Sequence, residues 1–199
     1  MLGLPPTTEG IAEAARRIRA GEVVAYPTET VYGLAADPFN PAAIEAVFRV
    51  KGRPDANPIL LIVSSECQLE GIAGQLSARA REMMERFWPG PLSLLLPAEP
   101  GLHPAIAPVG GKVCVRCPGL PLARRLCDAV GHAITSTSAN LSGADPAMDG
   151  EACAALNVSA VLDGGPTLSS VPSTIYDPDT GAVIRAGAIP PEALQVGSV

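Results

Sequence analysis

The run "PILLIV" at residues 58–63 narrows most what this chain can become. It has no polar side chain to turn toward water, so it reads as a strand buried on both faces, as strands are in a sheet covered by helices. The flanking sequence supplies such helices. Thr8 is placed to cap a helix carrying Ile11, Ala15 and Ile18 on one face, which Gly21 ends. Residues 23–26 then form a strand. Asn40-Pro41 is a cap followed by proline at the first helical position, and Ile44, Val47 and Phe48 keep helical spacing. Ser77 starts a helix through Ala80, Met83, Met84 and Phe87, stopped by "WPGP". Residues 121–130 form another, with Leu122, Leu126 and Val130 inward and Gly131 at its end. Strands are expected at 92–96, 113–116, 133–137, 160–162, 174–176 and 182–185. The expectation is a single-domain α/β fold, a twisted open mixed sheet with flanking helices. The domain spans 8–190, with 191–199 as a C-terminal tail.

Composition bears on the classes of function. No apolar run reaches the ~18 residues of a membrane helix. The N-terminus "MLGLPPTTEG" lacks the basic and apolar regions of a secretory signal. Five cysteines, an odd number widely spread, suit reduced thiols in a cytoplasmic protein. A net charge of −6 opposes broad, nonspecific nucleic-acid binding but leaves room for a local anion site.

Ligands of open α/β sheets bind beyond the carboxyl ends of strands. Several polar clusters fall at such ends: Thr28-Glu29-Thr30, the run "STSANLSG" at 136–143, Arg116 and Arg185. Each has two readings. Thr28 to Thr30 are a polar pocket wall or a capped turn. Arg49, Lys51 and Arg53 are cations at a helix C-terminus, or Lys51 and Arg53 lie past the helix stop in a stiff loop that suits a polyphosphate. The run 136–143 is a turn, or a cradle of hydroxyls, the Asn140 amide and backbone N–H groups for an anion or nucleotide. Neither a G-x-x-x-x-G-K-[ST] loop nor a G-x-G-x-x-G fingerprint occurs. Cys114-x-x-Cys117 reads as structural thiols rather than a metal site, since no second pair exists. His103 and His132 have no matching acid or nucleophile motif. "FWPGP" at 87–91 reads as a packed corner rather than a base-stacking platform.

Six stretches taken together add a further reading: "YPTETVYGLAADP" at 26–38, "KGRPDANPILLIV" at 51–63, "WPGPLSLLL" at 88–96, "VCVRCP" at 113–118, "STSANLSG" at 136–143 and "STIYD…VIRAG" at 173–187. In this order they resemble the threonylcarbamoyl-AMP synthase (YrdC-like) family, in its short single-domain form. The resemblance implies a large concave cavity in the mixed sheet. It implies ATP, L-threonine and bicarbonate as substrates, Mg²⁺ accompanying ATP, and no dedicated metal ligands on the protein. Threonylcarbamoyl-adenylate would pass to the proteins that transfer the group to tRNA, with tRNA contact at most weak. Lys51 and Arg53 match the Lys-x-Arg motif and would act on the ATP phosphates. Asn57, Ser138, Asn140, Pro146 and Arg185 would complete the nucleotide side. Thr28, Thr30, Arg116, Ser136 and Ser173 would hold threonine, with Arg116 on its carboxylate. Three departures stand out: Ile62 occupies a position where the long-form branch tends to carry histidine, "STSAN" replaces the long form's Ala-Pro-Ser-Ala-Asn and is closer to the short form, and Ala186 replaces the usual proline after the arginine. The alternatives are a paralogue with carbamoyl-adenylate or other nucleotide chemistry, and an RNA-binding module.

Overall fold

The computed structural model describes residues 1–52, 58–107, 111–167, 169 and 171–195. Among the described residues there are four α-helices: α1 (Thr8–Arg19), α2 (Pro41–Lys51), α3 (Ala78–Phe87) and α4 (Pro121–Val130). The strands are β1 (Leu2–Leu4), β2 (Val24–Tyr26), β3 (Gly33–Ala35), β4 (Leu61–Ile62), β5 (Leu92–Pro97), β6 (Lys112–Arg116), β7 (Ile134–Thr135), β8 (Thr137–Ser138), β9 (Ala160–Leu162), β10 (Thr174–Asp177) and β11 (Ala182–Arg185).

Capping side chains set the helix starts. Asn40 Oδ1 accepts from Ala42 N–H at 3.0 Å, and the Ser77 hydroxyl from Ala80 N–H at 3.2 Å. At α1 the cap is Thr7 rather than Thr8, its hydroxyl accepting from Gly10 N–H at 3.3 Å. Helix α2 ends in a left-handed Gly52 with φ 77°, a conformation that glycine adopts without strain. Lys51 is the last residue of α2, not a member of the loop beyond it.

The architecture is mixed α/β as expected, but the strands divide between two mixed sheets. One runs β1-β9-β2-β3-β8 and the other β11-β10-β5-β6-β4-β7. The chain crosses between them at Ser136. On one side Ile134 and Thr135 pair antiparallel with Ile62 and Leu61, and on the other Thr137 and Ser138 pair antiparallel with Leu34 and Gly33. Residues 133–137, expected as one strand, are therefore two strands in two sheets.

Within "PILLIV", Ile59, Leu61, Ile62 and Val63 are buried, while Pro58 is exposed and Leu60 half-buried. Leu61 faces a core with Ile44, Val47, Met83 and Leu94, while Ile62 faces one with Ile18, Tyr26, Leu126 and Ile134 beneath α1 and α4. Only Leu61 and Ile62 form a ladder; around them Ile59 N–H donates to the Ala105 carbonyl at 2.7 Å and Val63 N–H to that of Arg116 at 3.0 Å.

The folded unit also runs beyond 8–190 at both ends. Strand β1 pairs parallel with β9. At the other end residues Pro191–Leu194 form a 3₁₀ turn whose Leu194 is buried in the larger core. Among the described residues no helix is long and apolar enough to cross a membrane.

Candidate active site

Between the two sheets opens a cavity of about 820 Å³. Its wall gathers Lys51, Thr28, Thr30, Arg116, Ser136 and Ser138 with Asn140, Pro146, Ser173 and Arg185. All ten were singled out from the sequence. Arg53 and Asn57, the other two, lie outside the described residues.

Thr28 and Thr30 follow β2 and form a turn and a wall at once. Thr28 Oγ1 donates to the Val31 carbonyl at 2.8 Å, so in the 2.9 Å contact between the two hydroxyls Thr30 is the donor. The Thr30 oxygen keeps acceptor capacity for Arg116 Nη1, 3.4 Å away. Arg116, at the end of β6, is only 3% exposed. Its Nη1 also lies 3.4 Å from Glu29 Oε1, and among the described residues its buried Nε finds no partner. A buried guanidinium N–H without an acceptor costs stability, and a ligand carboxylate is the group that would satisfy it.

Also in the wall, the Arg185 guanidinium donates to the Ser173 carbonyl, through Nε at 3.2 Å and Nη2 at 2.8 Å, and to the Ser173 hydroxyl at 3.1 Å. The Ser173 and Ser93 hydroxyls share a buried hydrogen bond of 2.8 Å. Burial pulls the Arg185 guanidinium below its ordinary value; the nearby Cys114 opposes this and the like charge of Arg116 reinforces it.

The third cation of the wall is Lys51. Lys51 is buried, and its ammonium donates to the Ser138 carbonyl and Asn140 Oδ1, both at 3.1 Å. The Ser138 hydroxyl donates to Asn140 Oδ1 at 2.6 Å, and Ser142 N–H to the Lys51 carbonyl at 3.0 Å. Main chain and side chain of one lysine thus hold both ends of the segment 138–142. Ser136 is fixed from behind by the buried Tyr26 hydroxyl at 2.7 Å. No carboxylate lies in the wall among the described residues.

The sequence reading missed the apolar part of the wall, Leu60, Leu95, Cys114, Ile175 and Ile184. Strand alternation was the available signal: Cys114 lies two residues before Arg116 on the same face, and Leu95 is its partner across β5 and β6. The five thiols are free. Burial pushes those of Cys114 and Cys117 up to about 12 and about 11. Among the described residues no group of three or more His, Cys, Asp or Glu side chains could hold a metal ion. His132 sits 3.9 Å from Asp37, and neither it nor His103 reaches the cavity. Trp88 forms the expected packed corner, its Nε1 donating to the Leu92 carbonyl at 2.7 Å.

Over residues 16–187 the chain matches the family model of Sua5, YciO and YrdC, described as telomere recombination. A threonylcarbamoyl-AMP synthase of Bacillus subtilis (strain 168) is 39% identical over 191 residues, covering 93% of this chain and 55% of that protein. One of Alkalilimnicola ehrlichii is 40% identical over 182 residues, covering 88% and 95%. The crystal structure of P. abyssi Sua5 complexed with L-threonine superposes with a TM-score of 0.88 at 34% identity, over 95% of this chain and 58% of that one. The chain therefore spans little more than half the length of the B. subtilis and P. abyssi relatives.

Proposed function

Since the chain belongs to the Sua5/YciO/YrdC family, we propose that it joins L-threonine, bicarbonate and ATP into threonylcarbamoyl-adenylate, releasing pyrophosphate. One observation carries this reading: a chain of net charge −6 builds a cavity whose described wall holds two arginines and a lysine and no carboxylate. Such a wall is suited to polyanions and carboxylates. The names of the relatives support it, as does the threonine bound to P. abyssi Sua5.

Two halves follow. Arg116 takes the threonine carboxylate, with the hydroxyls of Thr28, Thr30, Ser136 and Ser173 around the amino acid. Lys51, Ser138, Asn140, Pro146 and Arg185 face ATP, and the motif partners Arg53 and Asn57 belong to the same half. The threonine amine attacks the bicarbonate carbon and water leaves, giving a carbamate. A carbamate oxygen then attacks the α-phosphorus, the bond to the bridging oxygen breaks, and pyrophosphate departs. This step needs alignment and charge neutralisation, not a covalent nucleophile. ATP enters as its Mg²⁺ complex, for Mg²⁺ keeps several waters and rides on phosphates with few protein ligands. The product passes in the cytoplasm to proteins that transfer threonylcarbamoyl to tRNA.

Pyrophosphate release by the purified chain, with threonine and bicarbonate omitted in turn, tests the reading. Release should require both, and Lys51→Ala and Arg116→Ala should each lower it by about 10- to 100-fold, as expected for losing a charge-assisted contact. Release that runs on carbamoyl phosphate instead would indicate carbamoyl-adenylate chemistry.

A further inference from the structure

Thr28 and Thr30 belong to the cavity wall, but Glu29 between them does not. It reaches Arg116 from behind the wall. Its Oε1 lies 3.4 Å from Arg116 Nη1, and its Oε2 accepts from Leu120 N–H at 3.4 Å. Leu120 is the N-cap residue of α4 and has no side-chain cap of its own. The Glu29 carboxylate therefore sits at the positive end of a helix, where a negative charge is favoured. That anchorage fixes where its other oxygen meets the arginine.

A guanidinium as buried as that of Arg116 needs a counter-charge, and among the described residues Glu29 is the carboxylate within ion-pair range. The contact is long, at 3.4 Å, and engages one nitrogen. It is not the tight two-pronged pairing that occupies an arginine fork. Nε remains without a partner among the described residues. Glu29 thus offsets the buried charge while leaving donor capacity on the arginine for an incoming carboxylate.

We infer that Glu29 is a positioning residue: it holds Arg116, from the N-terminus of α4, in the orientation that receives the carboxylate of the amino-acid substrate. This rests on the proposed synthase activity and adds to it a residue that does not touch substrate.

The test compares the intact chain with Glu29→Gln, Glu29→Ala, Arg116→Ala and the double variant Glu29→Ala/Arg116→Ala. Threonine affinity is read by calorimetry, KM for threonine and for ATP by pyrophosphate release, and folding by thermal melting. Glu29→Gln keeps an acceptor for Leu120 and loses the charge, so it tests positioning even if Glu29→Ala folds poorly. Both variants should raise threonine Kd and KM about tenfold, the scale of a charge-assisted hydrogen bond. ATP KM and kcat should stay within about twofold, a split that general loosening of the fold would not produce. In the Arg116→Ala background, Glu29→Ala should add no further loss, because its effect runs through the arginine. Unchanged threonine KM in a folded Glu29→Gln, tighter threonine binding, or losses that multiply in the double variant would each overturn the role. Failure of the synthase reading shows separately and earlier: an unsubstituted chain that neither binds threonine nor needs it for release overturns both.

Discussion

The chain has two lysines, and they serve different ends. Lys51 points its ammonium into the segment 138–140 at the cavity. Lys112 is at the far end of the strand that carries Arg116, and it ties down the turn between β10 and β11. Its ammonium lies 2.6 Å from Asp177 Oδ1 and 3.0 Å from Asp179 Oδ2. Burial by itself would raise the Asp177 carboxyl, but the Lys112 ammonium and the N–H groups of Asp179 and Thr180 outweigh it and hold the group below its ordinary value. A carboxyl depressed by folding contributes stability above its unfolded pKa, and that stability is lost as pH falls through the folded value. Asp177→Asn should therefore lower stability at pH 7 by about 1 kcal/mol, the upper end for a partly exposed pair. That corresponds to a fall in melting temperature of roughly 2–4 °C in a chain of this size. The difference from the unsubstituted chain should shrink below about pH 4, near the unfolded carboxylate value. Calorimetry at pH 7 and pH 3 checks both halves, and a difference that grows in acid would refute the ion pair's part.

The hairpin of β10 and β11 brings Arg185 to the cavity, and its return path is tight. A Cβ on Gly187 would lie 2.3 Å from the Pro172 carbonyl oxygen and 2.5 Å from the Ser173 carbonyl carbon. These are backbone atoms and cannot swing aside, so Gly187→Ala must displace the segment that holds Ser173. Overpacking of this kind costs about 1–3 kcal/mol. With Arg185 bonded to Ser173, the displacement should also cut pyrophosphate release more than about tenfold. A variant with unaltered melting and turnover would show that the segment gives way freely. This dependence on a neighbour 14 residues back is not visible in "VIRAG". What could be read from the sequence was local: caps at Asn40 and Ser77, the stop at Gly52, and the burial of Ile59 and of 61–63. Eight of the candidate site residues were legible because they stand at strand and helix ends as hydroxyls, amides and cations, whereas Pro146 and Ser173 came only from the family resemblance. The transfer of residues 133–137 between sheets was hidden, since its cause is pairing with Leu61 on one side and Leu34 on the other. The apolar wall was hidden for a related reason: Leu95 and Ile175 look like core until the sheets leave space between them.

Both ends of the chain help to hold the two sheets, although a domain of 8–190 seemed sufficient from the sequence. At the start, β1 extends the first sheet: Leu4 is buried beneath α1, and its carbonyl accepts from Asp163 N–H at 2.9 Å. At the end, Leu194 fills the larger core and its carbonyl accepts from the Arg79 guanidinium, while Arg86 Nη2 donates to the Ala193 carbonyl at 2.7 Å. Burying a leucine contributes about 1.5–3 kcal/mol, so the two together amount to roughly 3–6 kcal/mol before hydrogen bonds are counted. Against a typical net stability of about 5–15 kcal/mol, the ends are a large share. A chain trimmed to 8–190 should melt roughly 6–24 °C lower, at about 2–4 °C per kcal/mol for this size. Leu194→Ala alone should account for about 2–5 kcal/mol of destabilisation. Among the described residues, neither end contributes to the cavity wall. At about 15 °C, where the trimmed chain remains folded, threonine-dependent pyrophosphate release should therefore stay within about twofold of the full chain. Melting within 2 °C of the full chain would mean that the ends lie on the fold without stabilising it. Lost release in a trimmed chain that is still folded would mean that the sheets need these ends to hold the cavity open to substrate.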